Sequence, residues 1–191
     1  MQSNGTEPHP LFGGALSAVL PHSARDISEL REIPDNQEVF AHRHSDQSII
    51  VELLEHQGHV PDSQAARFHF QDVAGSNEAG GAEVRSVEPL SGAQLSLPAC
   101  SSAWLLSGTQ LVSKFNEEAQ NTVDVYLGLF RLPQHDTDIL VTFNDPVQIS
   151  PLSSSSSTAE EAPSSPSAPW TPEDFRLLLH TLCLLDPGVF G

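Results

Sequence analysis

Val123, Val125, Leu127 and Leu129 occupy every second position, residues 133–137 form a proline-led turn, and Ile139, Val141 and Phe143 alternate again. Successive side chains of a strand point to opposite faces, so this spacing predicts an antiparallel hairpin. Residues 171–188 read as the clearest helix of the sequence, one that has to dock on the rest of the chain. Thr171 is placed to cap a helix, Pro172 stands at its first position and Asp174 three residues after the cap. Phe175, Leu178, Leu179 and Leu182 then recur on one face, and Asp186-Pro187-Gly188 ends the helix. Sheet and helix together predict an α+β sandwich.

Further strands are expected at residues 15–20, 38–42, 67–73 and 104–112, which brings the sheet to six largely antiparallel strands. Residues 45–59 read differently. At 100° per residue Ile49, Ile50, Leu53 and Leu54 fall on one face, with Ser48, Glu52, Glu55, His56 and His59 opposite. Asp46 can cap the start, and the expectation is a helix on which Glu52 and Glu55 project side by side. Residues 150–169 hold nine serines and four prolines. That composition cannot bury enough apolar surface to offset its ordering entropy, so a disordered insertion within a single domain spanning residues 1–191 is expected.

The charge excludes several functions. Twenty-five acidic residues against eight Lys and Arg give a formal charge of −17. Binding to nucleic acid or to anionic lipid runs on clustered cations, so neither is expected. Nine carboxylates against Arg31 and Arg43 fall between Asp26 and Asp62, an acidic stretch suited to a basic protein partner. Cys100 and Cys183 cannot build a disulfide framework, and no leader or membrane-spanning run is read, so a soluble intracellular monomer is expected.

No active site emerges. His42-Arg43-His44-Ser45-Asp46 imitates the H-x-H-x-D element of metal-dependent hydrolases, but Gln47 stands where that element has a further histidine. Nothing near Cys100 would activate a thiolate, and the glycine-rich phosphate-binding and nucleophile-elbow motifs are missing. No catalytic residue, metal or cofactor is expected.

Several strings carry a resemblance. Pro10-Leu11-Phe12-Gly13-Gly14-Ala15, Asp26-Ile27-Ser28-Glu29-Leu30-Arg31, Pro34-Asp35-Asn36-Gln37-Glu38-Val39-Phe40 and Asp46-Gln47-Ser48-Ile49-Ile50-Val51-Glu52-Leu53-Leu54-Glu55 run in order. Arg131-Leu132-Pro133-Gln134, Thr137-Asp138-Ile139-Leu140 and the terminal Leu185-Asp186-Pro187-Gly188-Val189-Phe190-Gly191 follow. Together they resemble the Ran guanine-nucleotide release factor family, in its vertebrate form. The resemblance implies an α/β/α sandwich around a six-stranded, mostly antiparallel sheet. It also implies binding of the small GTPase Ran with release of its nucleotide, action in nuclear transport, and presence in nucleus and cytoplasm. A role in surface delivery of the cardiac voltage-gated sodium channel is implied as well. Carried over by position, Glu52 and Glu55 would contact Ran, with Asp46, Glu38, Asp35 and Asp26 as further acidic candidates. A trafficking adaptor without exchange activity is the alternative, and a metal-dependent hydrolase a distant third.

Overall fold

A computed structural model describes residues 7–76, 79–98, 100–112, 121–148 and 168–190. The predicted insertion, apart from Ala168 and Pro169, lies outside the described residues. In chain order the elements are β1 (His9–Leu11), β2 (Leu16–Ala18), β3 (Ala24–Asp26), β4 (Gln37–His42), β5 (Ser48–Glu55) and α1 (Asp62–Ser76). They continue with β6 (Gly81–Pro89), β7 (Ser102–Val112), β8 (Asn121–Leu132), β9 (Thr137–Gln148), α2 (Pro172–Thr181) and β10 (Cys183–Leu184).

The main sheet has seven strands in the order β3-β4-β5-β9-β8-β7-β6, rather than six, and β1-β2-β10 form a second, three-stranded sheet. Every described pairing is antiparallel. The predicted hairpin is β8 and β9, turning through a 3-10 segment at Pro133–His135. Its alternation sorts two cores. Phe130, Leu132, Ile139, Val141 and Phe143 join Phe175, Leu178, Leu179 and Leu182 of the α2 segment, with Leu11, Leu16 and Ala18 of the small sheet beside them. Val125, Leu127, Leu129 and Leu140 point the other way, onto Ala65, Ala66 and Phe70 of α1.

The start of α2 is as expected, but the helix ends at Thr181 rather than at Asp186-Pro187-Gly188, because Cys183 and Leu184 pair with β2 as β10. Thr171 accepts from the Asp174 N–H, while the Asp174 carboxylate accepts from the Thr171 N–H at 2.9 Å, a reciprocal cap. The helix lies so close to β8 that a Cβ at Gly128 would stand 2.3 Å from Leu179 Cδ2, which explains a glycine in the middle of a buried strand.

Two expectations are overturned. Residues 45–59 contain no helix; Ser48–Glu55 is a strand hydrogen-bonded between β4 and β9. An interior strand covered on both faces loses the polar alternation that marks a half-exposed one. Ile49 and Val51 enter the α2-side core, while Leu54 packs against the α1-side cluster. The β-branched run Ile49-Ile50-Val51 favours that outcome. Conversely, residues 67–73 are not a strand but the middle of α1. The buried face of α1 is Ala65, Ala66, His69, Phe70 and Ala74, at helical spacing but of small or polar residues. Exposed Phe68 next to Phe70 mimics alternation.

Candidate partner-binding surface

The β4–β5 hairpin places most of the acidic candidates, and strand geometry changes their relations. Residues three apart on a strand face opposite ways, so Glu52 and Glu55 do not project side by side. Glu52, opposite Gln37, accepts from its Nε2 at 2.8 Å and is half-buried. Glu55 is exposed at the strand end, opposite Thr137. Asp35 is exposed in the turn entering β4. It is held near β5 because Asn36 donates through Nδ2 to the Leu53 carbonyl and accepts from the Leu53 N–H at 2.9 Å. Asp136, in the β8–β9 turn, joins this end of the sheet through its carbonyl, which accepts from the His56 N–H at 3.0 Å. Asp35, Glu52, Glu55 and Asp136 thus rim one end of the central strands. Sequence spacing missed Asp136, because only the β5–β9 pairing brings it there.

The other candidates are elsewhere. Asp46 is exposed in the turn at the opposite end of the hairpin, beyond a strand about 23 Å long at 3.3 Å per residue. Glu38 lies opposite Val51 on the α2 side, and its Oε1 accepts from the Phe12 N–H at 3.0 Å. Phe12 has a φ of 51°, in the left-handed region costly for a bulky residue, and this bond helps to hold it. Asp26 caps the 3-10 turn at Ile27–Glu29, with Oδ1 accepting from the Ser28 N–H at 2.8 Å and the Ser28 hydroxyl at 2.6 Å. Glu38 and Asp26 therefore shape the fold locally.

The densest polar cluster is buried. Arg131 on β8 lies opposite Asp138 on β9, and its Nε donates to Asp138 Oδ1 at 3.3 Å. Its Nη1 donates to the Val60 carbonyl at 2.7 Å and to Asp62 Oδ1 at 2.9 Å, and Nη2 donates to the Gln57 carbonyl at 2.5 Å. Asp138 also bonds His56 Nδ1 at 2.8 Å, His69 Nε2 at 3.2 Å and the Gln57 N–H at 3.3 Å. Burial alone would raise the carboxyl pKa. The bonds from His69, His56 and Gln57, with the Arg131 charge, outweigh it and hold Asp138 at about 2. The cluster pins the start of α1 to the sheet.

A pH dependence of stability follows. A folded-state pKa near 2, below the unfolded value of about 3.9, stabilises the fold above the unfolded pKa. This contribution, about 2 kcal/mol, is lost as pH falls from about 5 through 2. Asp138→Asn should flatten that part of a denaturant-midpoint profile measured between pH 6 and 2.5. An unchanged slope would assign the acid sensitivity to other carboxylates.

The hydrolase-like string is occupied otherwise. His42 is 4% exposed; its Nε2 meets the Ala168 carbonyl at 2.9 Å and its Nδ1 accepts from the His44 N–H at 2.9 Å. With both ring nitrogens taken, His42 has no lone pair for a metal, and no group of three or more metal-ligating side chains occurs among the described residues. Burial pushes the Cys100 thiol pKa up, against the direction a nucleophile needs.

The model of the family described as Ran-interacting Mog1 protein matches residues 9–146. The chain belongs to the Ran-interacting Mog1 family. It is 65% identical over 185 residues to the Ran guanine nucleotide release factor of Danio rerio, covering 95% of this chain and 98% of the relative. Identity to the Homo sapiens protein of the same name is 49% over 187 residues, covering 97% of each. The nuclear import protein mog1 of Schizosaccharomyces pombe is 32% identical over 190 residues, with 95% of this chain and 98% of the relative covered. The crystal structure of the Saccharomyces cerevisiae Ran-binding protein Mog1p superposes with a TM-score of 0.71 at 23% identity, covering 97% of this chain and 98% of that one. The shared fold is the Mog1 sandwich.

Proposed function

We propose that this protein binds the small GTPase Ran and promotes release of its guanine nucleotide in support of nuclear import. The supporting observation is family membership, since relatives 65% and 49% identical carry the name Ran guanine nucleotide release factor. The acidic rim of Asp35, Glu52, Glu55 and Asp136 is the contact surface in this reading. A release factor works by binding nucleotide-free GTPase more tightly than the loaded form, because a ligand shifts an equilibrium only by its differential affinity. Carboxylates suit that task, as they can meet the cationic groups that a departing phosphate leaves behind. No covalent step is needed, and the protein acts as a monomer in nucleus and cytoplasm.

The geometry decides how to test the rim. Glu52 is bonded to Gln37, so reversing its charge would disturb the hairpin, whereas Asp35 and Glu55 are exposed. Asp35→Lys with Glu55→Lys should leave the melting temperature within a few degrees, since exposed charges contribute about 0–1 kcal/mol to stability. It should weaken Ran binding at least about tenfold, or 1.4 kcal/mol, at low salt, and by less at high salt. Fluorescent-nucleotide release from Ran, titrated with parent and variant, reads both affinity and rate. Equal affinity for a folded variant would move the interface to Asp26, Glu38 or Asp46. Binding without accelerated release would favour a trafficking adaptor, for Ran or for the cardiac voltage-gated sodium channel.

A further inference from the structure

The segment that leads into α2 is fastened to the β4–β5 turn by side chains, and the central fastener is a histidine. His42 donates from Nε2 to the Ala168 carbonyl and accepts at Nδ1 from the His44 backbone N–H. An N–H can only donate, so Nδ1 carries no proton and the ring is the neutral Nε2–H tautomer. Gln47 completes the fastening. Its Oε1 accepts from the Trp170 N–H at 2.7 Å, and its Nε2 donates to the Trp170 carbonyl at 2.8 Å and to Asp145 Oδ1 at 3.1 Å. Trp170, 2% exposed, packs its ring 5.0 Å from that of His42 and 6.2 Å from that of Phe143 in the core.

Protonation cannot be accommodated in this arrangement. An imidazolium donates from both nitrogens, so its Nδ1–H would confront the His44 N–H at 2.9 Å. The rings of His22 and His44 stand 5.8 and 6.2 Å away, and neither brings a negative charge to the site. On the packed elements the other charged groups include Arg25 and Asp26 of β3, Glu38 of β4, Arg43 and Asp46 of the turn, Asp145 of β9 behind Gln47, and Glu173 and Asp174 in the first turn of α2. None of them is hydrogen-bonded to the His42 ring, whose nitrogens are already occupied.

We propose that His42 is a pH-sensitive clasp: its protonation releases residues 168–170 from the β4–β5 turn, exposing Trp170 and loosening the N-terminal end of α2. The closed form holds no proton on Nδ1 and the open form can hold one. The open-to-closed ratio therefore rises by up to tenfold per pH unit as pH falls. The clasp is independent of the acidic rim, so it stands or falls separately from Ran binding.

The test measures backbone hydrogen-exchange protection of Trp170 from pH 8 to 5.5 in the full chain, alongside the ring nitrogen shifts of histidine labelled with 15N. His42 should be the neutral Nε2–H tautomer at pH 8, and Trp170 protection should fall by up to tenfold per pH unit as pH is lowered. His42→Gln can offer a donor to Ala168 and an acceptor to His44 without titrating, and should make the protection independent of pH. Asp145→Asn should keep the transition. Constant protection in the parent, an Nδ1–H tautomer at pH 8, or the same fall in His42→Gln would each overturn the clasp. Should His42→Gln not fold, the parent still decides, because constant protection or an Nδ1–H tautomer at pH 8 overturns the clasp and a pH-dependent fall from a neutral Nε2–H form supports it.

Discussion

Arg131→Met is expected to lower the free energy of unfolding by about 3–5 kcal/mol, the usual penalty for removing one partner of a buried ion pair. The guanidinium is 1% exposed and satisfies the carbonyls of Gln57 and Val60 as well as the carboxylates of Asp138 and Asp62. Methionine fills similar space but donates nothing. Two half-buried carbonyls would lose a donor, and Asp138, fully buried, would keep only histidine and backbone partners. The start of α1 should loosen first, since Val60 and Asp62 are fastened there. Urea titration measures the loss. Adding Asp138→Asn to Arg131→Met should recover part of it, because the unpaired charge is then gone. A single variant within 1 kcal/mol of the parent would show that the cluster relaxes or hydrates freely.

The strings that carried the family resemblance are largely joints of this fold. Glu38 of one string accepts from Phe12 of another, Asn36 and Gln37 bond Leu53 and Glu52, Arg131 pairs with Asp138, and the Leu185 and Asp186 N–H groups meet the Ala15 carbonyl. Such residues could be recognised in sequence, but their partners lie up to 171 residues away along the chain, from Ala15 to Asp186, and periodicity cannot find them. The β8–β9 hairpin was legible because Thr122, Asp124, Tyr126 and Gly128 separate its apolar residues and a proline-led turn joins its strands, and α2 because its start carries its own capping signals. β5 and α1 were misread for opposite reasons. β5 is apolar on both faces in the middle of the sheet, while α1 buries alanines and a histidine instead of a strong apolar stripe. β6 gave no signal, since an edge strand with mostly exposed side chains need not alternate. Of the acidic candidates, Asp35, Glu52 and Glu55 converge at one end of the sheet, but through strand pairing rather than the expected helix face.

Phe175→Ala should cost about 3–5 kcal/mol and Leu178→Ala about 2–5 kcal/mol, whereas Leu177→Ala should change stability by less than about 0.5 kcal/mol. All three lie on α2, so helix propensity is nearly constant across the set and burial is what varies. Phe175 is 1% exposed with its ring 5.6 Å from that of Phe143, Leu178 is fully buried, and Leu177 is 48% exposed. A cavity beneath α2 cannot close by moving the helix inward. Leu179 already touches the backbone of β8 at Gly128, and the start of the helix is held by its reciprocal cap. The lining therefore keeps its shape and loses contacts, the condition under which large-to-small changes cost most. Denaturant midpoints at constant slope measure the three changes. Near-parental midpoints for Phe175→Ala and Leu178→Ala would mean that this stripe is not core, and that α2 offers its apolar face to another molecule.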